Sequence, residues 1–224
     1  MILLNLLTAD DFLMVLIGIV VYLSVLFIVM PAHEFAHAFA AKSQGDYTAY
    51  HMKRYTLAPF AHIDKKGFLC LLIFGFGWAK PVPVDPRNYK HGKKSEVFVS
   101  LAGIIVNLLQ GLLFCGLYVA FLLFLPVNPS SYLWYAYYTF FNYGILISFS
   151  LAVFNMLPVY PLDGYRFLSA VTKPGNSFIE FMRRNSFFIF IVLYFFMSAI
   201  FNFTLYPLAN GCIWLWEQFF GLFI

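Results

Sequence analysis

The sequence predicts a polytopic α-helical membrane protein of four to five membrane helices, with a small membrane-associated, re-entrant β element between the first and second. Three observations predict this. Hydrophobic residues make up 62% of the 224-residue chain and charged residues only 11%, whereas a soluble domain is nearer half apolar and a quarter charged. Apolar runs long enough to cross a bilayer recur along the chain. All 14 Lys and Arg residues fall in two windows, 42–94 and 166–184. That clustering is a topology signal, so the net charge of +4 needs no nucleic acid or other anionic partner to explain it.

The spans follow from hydrophobic length and the basic windows. The first runs roughly over 11–41, from Asp10 and Asp11 to Lys42. It has no basic segment before it and contains polar residues, so it reads as a retained helix, not a cleaved signal peptide. The second runs roughly over 96–125, the third over 132–157 and the fourth over 186–203. A fifth apolar segment, 208–224, follows the break TLYPLANG and either spans or lies in the interface. The positive-inside rule places both basic windows in the cytoplasm and the N-terminus outside, in a multi-pass protein of the cell membrane. The uncharged PVNPSS at 126–131 is then an external turn. We read one integral membrane domain over 1–224, with a catalytic core at about 11–172 and a C-terminal helical hairpin at about 178–224.

The stretch 42–94 holds a shorter apolar run, GFLCLLIFGFGW at 67–78. As a helix it reaches only ~18 Å against a hydrocarbon core of ~30 Å. Lys65 and Lys66 precede it, and Lys80 and Arg87 follow it, so both ends belong on one side. A re-entrant element fits. DYTAYHMKRYTLAPF before it has strand-like aromatic and Thr content, and KPVPVDP after it is too rich in proline for a helix. Residues 46–90 therefore read as short strands and turns at the membrane surface. Cys70, Cys115 and Cys212 are scattered through apolar segments and imply no disulfide framework.

The chemistry sits in HEFAH, residues 33–37, near the end of the first span. His33 and His37, at i and i+4, share one helix face and can reach one ion. Glu34 lies beside the first ligand without itself ligating, so the motif supplies two ligands and a general base. Ionisable residues within a membrane helix are costly and mark function by default. The bland alternative is a polar contact between helices. Pro31 removes a backbone hydrogen bond and predicts a kink.

A catalytic zinc needs a third protein ligand at the same depth. His37 precedes Lys42 by five residues, about 8 Å of helix. Asp163, three residues before Arg166, satisfies the same condition. Glu180 fits worse, in a basic exposed segment, as does Glu217 on an aromatic belt. Pro158 and Pro161 interrupt the helix before Asp163, and the broken backbone there can bind an extended peptide. Asn155 adds a side-chain donor nearby.

HEFAH, RYTLAPFAHID, GFGWAKPVPVDPRNY, SLAGIIVN and NMLPVYPLDG, in that order, resemble the site-2 protease family of intramembrane zinc metalloproteases, in its compact bacterial branch without PDZ or CBS domains. The resemblance covers roughly 30–170. It implies one Zn2+ per chain, held by His33, His37 and Asp163, with Glu34 as catalytic acid/base. It implies that Asn155 contacts the substrate backbone, that Gly75, Phe76 and Gly77 offer a strand edge to an unwound substrate, and that Asn107 is structural. The chain departs from the family pattern at Ala58, often Asn, and at Lys65, often Pro, which affects a surface turn.

The expected activity is regulated intramembrane proteolysis: hydrolysis of a peptide bond within or near the cytoplasmic end of a single-span membrane protein. The expected setting is the lipid bilayer, with no nucleic acid, and prior cleavage by another enzyme, a regulatory membrane partner or the lateral gate as filter. The competing class is a metal transporter. Transporters show repeated halves with broken helices in both, and this chain has one broken segment and no repeat.

Overall fold

A computed structural model describes residues 11–74 and 77–223. Helix α1, Phe12–Ser43, starts where the Asp11 carboxylate accepts the Leu13 and Met14 amides. It runs as one helix through Pro31. Its 32 residues span ~48 Å, so it extends beyond the hydrocarbon. Helix α4 (Lys93–Phe124) and helix α5 (Tyr132–Met156) are also long and apolar enough to cross a membrane. Ser131 caps α5, accepting from the Trp134 amide at 3.1 Å, and α5 stops before Leu157-Pro158, where the residue ahead of proline leaves the helical region.

These helices pack around one apolar cluster: Val25 and Val29 of α1, Phe114 and Cys115 of α4, and Ile145 and Phe149 of α5. Gly111 faces the Phe149 ring and Gly144 faces the Phe114 ring, each so closely that a Cβ would overlap the ring. Small residues at these crossings let α4 and α5 approach, as lipid-embedded helices need without a strong hydrophobic drive between them. All three cysteines are free.

Past α5 the chain turns through 157–162 into helix α6, Asp163–Val171, and helix α7, Ser177–Arg184. Helices α8 (Ser186–Phe203) and α9 (Leu205–Gly221) are separated only by Thr204 and together make the fourth apolar segment long enough to cross. They do not fold back as the expected hairpin. Phe190 lies near Phe154, at the end of α5, and Phe220 near Phe124, at the end of α4. Those are opposite ends of the bundle, because α4 and α5 are antiparallel neighbours. The chain does not reverse at Thr204: its hydroxyl bonds back to the Ile200 carbonyl, which bends a helix without reversing it. Segment 208–224 is thus, over its described residues, the second half of this crossing, and Trp216 donates to the Leu112 carbonyl at 2.9 Å.

The β element is corrected. Among the described residues there is no strand, only an isolated antiparallel bridge between Ile63 and Ala79. Residues Thr48–His51 form a short helix, α2, and Lys65–Phe74 form helix α3. The cause is local. Asp64 accepts the Gly67 amide on its carboxylate and the Phe68 amide on its carbonyl, both at 2.8 Å, which starts α3. An apolar run without alternation then satisfies its own backbone as a helix. The aromatic residues that looked like strand form a cage instead: Lys42 Nζ lies 4.4 Å from the Tyr50 ring centre and 4.3 Å from that of Tyr55.

Asp46 organises the loop. Its buried carboxylate accepts from the Thr48 amide and hydroxyl, the Asp85 amide at 2.7 Å and the Asn88 side chain at 3.0 Å. Burial alone would raise its pKa, but these hydrogen bonds outweigh that and hold the carboxyl below its ordinary value. Replacing Asp46 with Ala should cost ~2–3 kcal/mol at neutral pH. Because the native value is the lower one, this stabilisation is full above the unfolded carboxyl pKa of ~3.9 and is lost as pH falls through the native value. Thermal unfolding of both proteins in detergent should show a gap at pH 7 that closes in acid.

Candidate metal centre

His33 and His37 project from α1 toward α4 and the start of α6. All three of His33, His37 and Asp163 are buried. Their ligand atoms converge: His33 Nε2 to His37 Nε2 is 3.2 Å, His37 Nε2 to Asp163 Oδ2 is 3.0 Å and His33 Nε2 to Asp163 Oδ2 is 3.4 Å. Tetrahedral zinc with N and O ligands at ~2.0–2.1 Å separates them by about 3.3 Å. Two segments that lie 126 residues apart thus meet with the spacing of a metal site.

The outer nitrogens of the two rings say more. His37 Nδ1 lies 2.8 Å from the Val99 carbonyl. A carbonyl only accepts, so Nδ1 carries a proton, and a neutral ring then turns its Nε2 lone pair inward. His33 Nδ1 lies 2.9 Å from the side-chain amide of Asn107, whose Oδ1 is buried without a partner. An amide turned by 180° is equally compatible with its shape. In that orientation Oδ1 accepts from His33 Nδ1, the orphaned oxygen is satisfied, and His33 Nε2 also turns a lone pair inward. With both rings neutral, two imidazole lone pairs and a carboxylate oxygen face one point, a donor set that suits a cation there. The residues fit zinc, with Val99 and Asn107 as the outer partners that such ligands use.

Two glycines make room. A Cβ on Gly103 would fall on His37 Nε2 and within 2.7 Å of His33 Nδ1. A Cβ on Gly164 would fall on the Met156 carbonyl, so Gly164 lets α6 start against the end of α5. Asp163, the first residue of α6, therefore sits at a helix N-terminus, where backbone amides favour a carboxylate.

Glu34 is half-buried and points elsewhere: its Oε2 accepts from the Val82 amide at 2.7 Å. Asn155, on the last turn of α5, donates to the Leu151 carbonyl of its own helix at 3.0 Å. Pro158 and Pro161 lie in the 157–162 connection between α5 and α6, beside Asp163. Gly75 and Phe76 lie outside the described residues. Gly77 packs on the Gly67 carbonyl, which leaves no space for a Cβ. Glu180 and Glu217 are exposed and away from the cluster. Sequence reasoning missed Gly103, Val99 and Val82. Only Gly103 left a signal, its i, i+4 spacing from Asn107 on one face of α4.

The sequence profile of "Peptidase family M50" matches residues 127–199, which include Asp163 and exclude HEFAH. The Bacillus subtilis (strain 168) protein named "Putative zinc metalloprotease YwhC" is 36% identical over 208 residues, covering 90% of this chain and 92% of that protein. The chain belongs to peptidase family M50, the site-2 protease family. It is a multi-pass membrane zinc metalloendopeptidase. No solved structure matches this M50 chain.

Purified wild-type protein should carry about one zinc per chain. Asp163→Ala should lose it, and Gly103→Leu should lose it by displacing the imidazoles. Asn107→Ala should weaken zinc binding by about 10–100-fold. Metal analysis after dialysis against a graded chelator checks all three.

Proposed function

We propose that His33, His37 and Asp163 hold one zinc, that Glu34 is the catalytic acid/base, and that the substrate is a single-span membrane protein cut near the cytoplasmic end of its span. The observation that carries this reading is the convergence of His33 Nε2, His37 Nε2 and Asp163 Oδ2 within 3.4 Å of one another at a buried point, on the helix that also carries Glu34. Positive-inside placement of the basic windows puts that point toward the cytoplasm, where water can reach it.

Zinc held by His33, His37 and Asp163 would polarise the scissile carbonyl and make water a better nucleophile at neutral pH. Glu34 takes a proton from the attacking water as its oxygen bonds to the carbonyl carbon. As the C–N bond breaks, Glu34 returns that proton to the leaving nitrogen, giving a carboxylic acid and an amine. A helical substrate hides its carbonyls in its own hydrogen bonds and must be extended first. Asn155, at the broken end of α5, is placed to hold the extended backbone, exchanging its bond to Leu151 for one to the substrate.

Glu34→Gln should keep zinc, because Glu34 is no ligand, and lower cleavage by at least about 100-fold. The assay mixes purified enzyme with single-span test proteins in detergent and locates cuts by mass spectrometry. A metal chelator should abolish cleavage and added zinc should restore it. Hydrolysis that survives Glu34→Gln would rule out this role.

A further inference from the structure

Glu34 is held by a segment with an unusual supply of amides. In Lys80-Pro81-Val82-Pro83 the two prolines have no N–H, so Val82 carries the one donor between Lys80 and Val84. Each proline fixes its own φ, and each restricts the residue before it to extended backbone. The segment is therefore a stiff strut, and its one donor between Lys80 and Val84 goes to Glu34 Oε2 at 2.7 Å.

The strut is anchored on both sides of Val82. Asp46 Oδ2 accepts the Asp85 amide, and the buried Val82 side chain packs with Ala38 of α1 and Ala49 of α2. On the other side, Arg54 Nη2 donates to the Lys80 carbonyl at 2.6 Å and lies 3.4 Å from the Pro81 carbonyl. Arg54 is 7% exposed. His62, fully buried, lies behind it: its Nε2 donates to the Thr56 carbonyl at 2.8 Å, which leaves Nδ1 to face Arg54 Nη2 at 3.4 Å. The His62 carbonyl in turn accepts the Lys80 amide at 2.9 Å. Arg54 and Glu34 also interact through their charges.

We infer that Arg54 is a positioning residue for Glu34: by clamping the Lys80 and Pro81 carbonyls it aims the Val82 amide, and this bond sets where the Glu34 carboxylate stands relative to the metal centre. The inference rests on the reading of Glu34 as acid/base. It gives a buried arginine that touches neither metal ligand nor substrate a part in the reaction. One bond from Val82 occupies Oε2 and leaves Oε1 for water.

Two readouts on the zinc-loaded full chain in detergent test it. The first is deuterium uptake at the Val82 amide, isolated in its peptide by the flanking prolines. Glu34→Ala and Arg54→Ala should each speed that exchange by about tenfold or more. The second is turnover of a single-span test protein that the wild type cuts. Arg54→Ala should lower kcat by about tenfold or more while KM stays within about twofold and zinc stays bound. Arg54→Lys should restore part of kcat, which a loss of folding would not explain. If Arg54→Ala does not fold, Val82→Pro removes the donor and should show the same fall in kcat with zinc still bound. Unchanged Val82 exchange in Arg54→Ala, or kcat lost only together with zinc, would overturn the inference. Absence of any Glu34-dependent cleavage in the wild type would instead overturn the proteolytic reading, while Val82 exchange still decides whether Arg54 aims the bond to Glu34.

Discussion

Three polar side chains able to ligate a metal, buried in an apolar bundle, cannot stand alone. In a medium with little water, an unpaired carboxylate or imidazole is costly, so the cluster must be complete for the bundle to be stable around it. Completing it joins α1, α4 and α6. His33 and His37 come from α1, their outer nitrogens face Val99 and Asn107 of α4, and Asp163 opens α6. Much of the surrounding chain serves that closure. Gly103 removes bulk where α4 passes the imidazoles, and Gly164 lets α6 begin against the end of α5.

Around this point the fold separates two tasks. The far half of the bundle is built on side-chain packing, with Val25, Phe114 and Phe149 in one cluster and α9 laid against α4. The near half is built on hydrogen bonds from a loop of few regular elements. Asp46, Arg54 and His62 are buried polar residues in that loop, and each bonds to backbone. Such a loop keeps its shape without a sheet, and through Val82 it reaches the one acidic side chain of the HEFAH helix that the cluster leaves free.

Much of this was legible in the sequence. The crossings at Phe12–Ser43, Lys93–Phe124 and Tyr132–Met156 lie close to the expected spans, because hydrophobic length bounded by charge is a long-range signal. Asp163 could be matched to His33 and His37 by depth alone, and the structure brings the three together. The loop was misread because its cause is short-range. Aromatic and Thr residues at 46–57 suggested strands, but the Asp46 carboxylate draws the Thr48 amide into a turn there, and Asp64 starts α3 just beyond. The C-terminal hairpin was misread because TLYPLANG resembles a turn, whereas Thr204 interrupts the helix without reversing it. The bond from Val82 to Glu34 was not legible, since it joins residues that no periodicity relates.

The central claim is that His33, His37 and Asp163 hold a zinc ion. X-ray absorption at the zinc edge of purified wild-type protein tests it most directly. The account predicts a first shell of nitrogen and oxygen at about 2.0–2.1 Å, with the outer-shell scattering of two imidazoles and no sulfur. A zinc–sulfur shell at about 2.3 Å, or scattering from one imidazole or none, would place the metal elsewhere and contradict it.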